Sequence, residues 1–178
     1  MIYVKRKLVI AIVIWCCFIL QTAVFPMLGF FSCVPDIMLI LTVAMGFMQG
    51  RIEGIVTGFL CGLLTDLFYG DIFGFQAFLY MITGYFCGRF SQIYFDEDVK
   101  MPLLLCGACD ISKNLVIYVS RFLLRGRLDF AGYLKSVILP EAVSTILFTL
   151  LLYRLFYSIN HSLVEKEKKG TQTLWIRE

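Results

Sequence analysis

The stretch "GFLCGLLTDLFYG", Gly58 to Gly70, decides how the whole chain is read. Nearly every residue in it is apolar or small, yet Asp66 puts a carboxylate into a run otherwise fit for lipid. Gly58, Gly62, Asp66 and Gly70 are four residues apart, and Gly54, Gly50 and Gly46 carry the step backwards. Residues four apart lie on one face of a helix, drifting about 40° per step. Small residues at that spacing let two helix backbones approach closely in lipid. The stretch therefore reads as a helix with a tight packing seam through Gly54, Gly58 and Gly62. "GYFCG", Gly84 to Gly88, offers the facing surface on the next helix.

Composition points the same way along the rest of the 178 residues. Apolar residues make up 60% and charged residues only 16%, against about 45–50% and 25% in soluble domains. Mean hydropathy is +0.82. The apolar residues fall in long runs, so the expected fold is an all-α integral membrane protein, with six transmembrane helices in one compact bundle. The runs cover about residues 8–25, 37–49, 52–69, 73–90, 102–124 and 137–159. Residues 1–160 then form one transmembrane domain, and 161–178 a polar cytoplasmic tail, unstructured or lying on the membrane surface. The basic start followed by an apolar core resembles a signal peptide. No small-residue cleavage site follows it, so it reads as an uncleaved first helix. The second run opens after Pro35 and Asp36, a good helix start, because proline fits the first turn and a carboxylate suits the positive helix end. That run falls well short of the ~20 residues that cross a bilayer, which suggests local thinning or a partial span.

Lys and Arg give the orientation. With the N-terminus inside, six spans place Lys5, Arg6, Lys7, Arg51, Arg89, Lys100, Arg154, Lys166, Lys168, Lys169 and Arg177 on the cytoplasmic side. The outer loops hold only Arg125, Arg127 and Lys135. This bias favours both termini in the cytoplasm. No clustered basic stripe with interleaved aromatics is present, so nucleic acid is not an expected partner.

An ionised carboxylate at membrane depth faces protein or water and has a partner. Asp110, Lys113, Asn114, Arg121 and Arg125 fall within about 120° of one another on the fifth helix, with Leu115, Val116, Val119, Phe122 and Leu123 opposite. The charged stripe must face the bundle. Asp110 and Lys113 suit a local i,i+3 pair, and Asp66 is expected to pair with Arg121 or Lys113. No catalytic motif, cofactor site or metal-ligand set emerges. Six of the seven cysteines lie in apolar runs, where they act as small hydrophobes. The "CGAC" stretch, Cys106 to Cys109, lacks the context of a redox or metal motif.

Taken in order, these segments resemble the rod-shape-determining protein MreD family. The matching elements are Gln21-Thr22 closing the first helix, Pro35-Asp36 opening the second, and Arg51, Glu53 and Gly54 at the inner turn. Then come Gly58, Gly62, Asp66 and Gly70 at four-residue steps, with Gly74 after them. The similarity runs over roughly residues 18–90, and the last two helices match in length and polarity. The resemblance implies a non-enzymatic membrane component of the bacterial cell-elongation machinery, in the cytoplasmic membrane. It implies binding to MreC, and a link between MreB filaments and the RodA-type and penicillin-binding synthases of peptidoglycan. That family resembles in fold the substrate-binding subunits of energy-coupling-factor vitamin or metal transporters, which supply the alternative reading. In it, Asp66, Asp110, Asn114 and Arg121 would line an outward-facing pocket.

Overall fold

The computed structural model describes residues 2–24, 34–70, 73–91, 100–120 and 130–175, and these are helical with short connections. Helix α1 (Ile2–Ile19) ends in a π-helical turn, Leu20–Val24. Then follow α2 (Ile37–Gln49), α3 (Arg51–Tyr69), α4 (Phe75–Ser91) and α5 (Lys100–Tyr118). A single turn, Phe130–Tyr133, and a π-helical turn, Leu134–Ile138, lead into α6 (Leu139–Trp175). The last helix runs on to Trp175, through most of the segment expected to be a polar tail, unstructured or lying on the membrane surface. Arg121 and Arg125 lie outside the described residues.

The short second run is the centre of the bundle. Residues 37–46 of α2 are all buried, and α2 packs against α1, α3, α4, α5 and α6. A helix that is apolar all round and enclosed by protein needs no lipid-facing stripe. Its 13 residues give a length of about 20 Å, short of the ~30 Å hydrocarbon core. The short length goes with this enclosure: its neighbours shield residues 37–46. Helix α1 covers one side of it with Ile10, Ile14, Cys17 and Phe18, spaced as one helical face, while Leu8, Ile12, Trp15 and Ile19 point outward.

The outer helices reverse the usual order of a soluble fold. Large apolar side chains stand exposed on α3 (Ile52, Phe59, Leu67), α5 (Leu104, Ile111, Leu115) and α6 (Val143, Leu147, Leu151). The polar and charged groups Asp36, Thr42, Thr57, Asp66, Asp110, Lys113 and Asn114 are buried. Helices α3, α5 and α6 each carry a stretch long and apolar enough to cross a membrane. An apolar exterior with the charged groups held inside is what hydrocarbon as solvent requires.

Helices α3 and α4 share the most extensive contact in the bundle, and the glycines make it possible. A Cβ at Gly58 would stand 2.3 Å from the Tyr80 carbonyl oxygen, and one at Gly62 would stand 2.4 Å from the Ala77 Cα. Gly54 and Gly84 face each other in the same way, and Gly88 lies against the backbone of Arg51. Backbone meets backbone along this line, so no side chain can move aside to make room. Gly58→Ala is expected to cost about 1–3 kcal/mol through overpacking. Gly107→Ala would meet only the mobile end of Ile146, at 3.1 Å, and should cost far less. Thermal unfolding of both variants in detergent checks this; equal tolerance would sink the close-seam account.

Candidate functional site

Two helices of this bundle begin against protein, where the first-turn N–H groups find side-chain acceptors. Those donors must be satisfied locally. At the start of α2, Asp36 is the N-cap, and its Oδ1 accepts from the Leu39 N–H at 3.0 Å. The Met38 N–H donates to Gln21 Oε1 at 3.0 Å, which ties the end of α1 to the start of α2. The Asp36 N–H itself donates to Thr145 Oγ1 of α6 at 3.3 Å. Pro35 beside it is buried and lacks the donor that this position would orphan.

At the start of α4 the acceptor comes from the preceding helix. Asp66 Oδ2 accepts from the N–H groups of Gly74 at 3.0 Å and Ala77 at 2.9 Å, and Oδ1 from Gln76 at 3.1 Å. The carboxylate sits at the positive end of α4, where a negative charge is favoured. Gly74 has φ +94°, the left-handed conformation that brings its N–H back toward Asp66. Gly70 closes α3 against the Asp66 backbone, where a Cβ would be 2.6 Å from its carbonyl oxygen. Asp66 therefore serves as a cap. Lys113 pairs elsewhere, which corrects one of its two expected partners; the other, Arg121, is outside the described residues.

Lys113 is the hub of a buried ionic cluster. Its Nζ lies 2.5 Å from Asp36 Oδ2, 3.0 Å from Glu141 Oε1 and 3.2 Å from Asp110 Oδ1. The Asp110 contact is the expected i,i+3 pair on α5, close enough for attraction but without hydrogen-bond alignment. Tyr80 Oη of α4 donates to Asp36 Oδ2 at 2.5 Å. The cluster thus joins the starts of α2 and α6 to α4 and α5. An ammonium has three donors and no acceptor, and three carboxylates surround this one. A cleft of about 280 Å³ opens beside it, lined by Gln21, Asp36, Gln76, Tyr80, Lys113 and Glu141 among others.

The stripe expected on α5 points as its wheel implies. Asp110, Lys113 and Asn114 are buried, and Leu115, Val116 and Val119 are exposed. Arg51 and Glu53 open α3, away from the cluster, both partly buried. The sequence reading missed Glu141, Tyr80 and Thr145. Glu141 had a visible sign, because Pro140-Glu141 repeats at α6 the proline–acid start of Pro35-Asp36 at α2. Tyr80 had none, because its partner lies on a helix 44 residues away in sequence.

Removing one member of a buried ionic cluster leaves uncompensated charge. Lys113→Met is expected to lower stability by about 3–5 kcal/mol. Asp66→Ala, which removes a cap, should cost about 0.5–2 kcal/mol. Unfolding curves of the two variants in detergent test the ranking; a Lys113→Met protein as stable as the parent would show that the cluster does not hold the helices together.

Comparison with known proteins gives one family. The family model described as "MreD: rod shape-determining protein MreD" matches residues 4–162. No match was found among curated proteins or among solved structures. The family match takes in every helix that builds the cluster and most of the chain, and so this protein belongs to the MreD family, whose role is rod-shape determination.

Proposed function

We propose that this protein is a non-enzymatic, multi-pass component of the cell-elongation machinery in the bacterial cytoplasmic membrane. It binds MreC and helps couple MreB filaments to peptidoglycan synthesis by RodA-type and penicillin-binding enzymes. The family match carries the shape-determining role. The distribution of Lys and Arg supports six spans with both termini in the cytoplasm.

A lateral groove supports the partner's place. Helices α4 and α5 touch only slightly, and between them runs an apolar groove of about 710 Å³. Phe78, Phe86, Phe90, Leu104 and Val116 line it, and Ala108 lies on its α5 wall. In lipid, helix association depends on close packing rather than on hydrophobicity. A groove with a small residue in its wall suits an apolar helix from a membrane-anchored partner such as MreC.

The cleft beside Lys113 favours a second reading: a substrate-binding membrane subunit of an energy-coupling-factor transporter for a small vitamin or metal ion. Affinity capture of the tagged chain from its host membrane separates the two. Recovery of MreC and elongation synthases, lost in Ala108→Trp while the protein stays folded, is the expected result. Recovery of a paired ATPase with its coupling membrane subunit would overturn it in favour of the transporter.

A further inference from the structure

More carboxyl groups surround Lys113 than its single ammonium can balance in their ionised form. Asp36, Asp110 and Glu141 share one cation, so the three groups in their ionised form leave two negative charges over. Such a surplus is costly in a protein interior. Asp110 shows where it is felt. It is fully buried, and neither of its carboxylate oxygens accepts a hydrogen bond among the described residues. Buried polar groups are seldom left this way without a ligand or ion to explain them.

The spacing suits a metal ion. One oxygen from each of Asp36, Asp110 and Glu141 lies within 4.8 Å of the others. Calcium–oxygen bonds are about 2.3–2.6 Å, so oxygens on opposite sides of the ion stand about 5 Å apart, and magnesium demands a tighter shell. All the donors are oxygens, which select a hard cation over zinc or copper. The cleft lined by Asp36, Glu141, Gln76 and Tyr80 gives an ion a way in.

We propose that this cluster is a binding site for a hard divalent cation of the size of Ca²⁺ or Mn²⁺, held by Asp36, Asp110 and Glu141, with the Lys113 ammonium as its tethered competitor. A divalent ion brings the cluster to neutrality. Lys113 has space to shift from the centre, because its side chain also lines the groove between α4 and α5. The inference does not depend on which partner fills that groove.

The test uses the full chain purified in detergent, stripped with a chelator and titrated with Ca²⁺ and Mn²⁺. Binding is read by thermal unfolding and by the Mn²⁺ electron paramagnetic resonance signal. The parent protein should bind at millimolar ion with a rise in Tm, and Glu141→Gln and Asp110→Asn should each abolish binding. Lys113→Met should bind about tenfold more tightly and regain stability when the ion is added. If Lys113→Met does not fold, the comparison of the parent with Glu141→Gln decides. No binding by the folded parent at millimolar ion overturns the proposal. So does binding that survives both carboxylate substitutions, since that ion sits elsewhere.

Discussion

The contact between the Asp36 carboxylate and the Lys113 ammonium is the interaction on which the rest of this structure depends. Helix α2 starts inside the bundle, so its first N–H groups have only protein to turn to. Asp36 answers that need with Oδ1 and uses Oδ2 to receive both Tyr80 and Lys113. One side chain thereby caps the central helix and fastens it to α4 and α5. Lys113 extends the link to Glu141 at the start of α6, and Thr145 completes it from the same helix. In hydrocarbon, where apolar surface gives little drive for helices to associate, such polar contacts and close packing decide which helices stay together.

The glycine seam and the cluster are parts of one arrangement. Gly58 lets α3 settle against the Tyr80 carbonyl, and that depth of packing sets where the Tyr80 hydroxyl lands relative to Asp36. At the same end of α3, Asp66 captures the first turn of α4. Helix α4 is thus held along its length by backbone contact and at its start by a carboxylate. Its other flank, toward α5, is left open. The rigid side and the open side follow from where the small residues are, and the groove is the space they leave.

The seam was legible because glycines at four-residue steps write one helical face directly into the sequence, and Gly84 and Gly88 announce the matching face. The inward stripe of Asp110, Lys113 and Asn114 was legible for the same reason. Asp66 was read as needing a partner, but a helical wheel shows side chains only, and its partners are backbone N–H groups of the next helix. The short second run reads only as too short for a simple span, because length alone does not show that five neighbours pack around it. Tyr80 and Glu141 join the cluster through contacts between distant segments, which no periodicity encodes. Glycine spacing found the packing, then, and only the folded chain shows how the charges are shared.

Helix α2 has a last consequence. Residues 37–46 are buried throughout, so over that length the solvent of the protein's centre is the protein itself. A change of lipid length, or transfer from bilayer to detergent, acts on the exposed faces of α3, α5 and α6 and is absorbed there as tilt. Two of those helices, α5 and α6, carry Lys113, Asp110 and Glu141, so such a tilt is transmitted to the hub. The carboxylate cluster is thus a bearing between an enclosed axle and its rim: Asp36 stands on the axle, and Asp110, Lys113 and Glu141 stand on the rim.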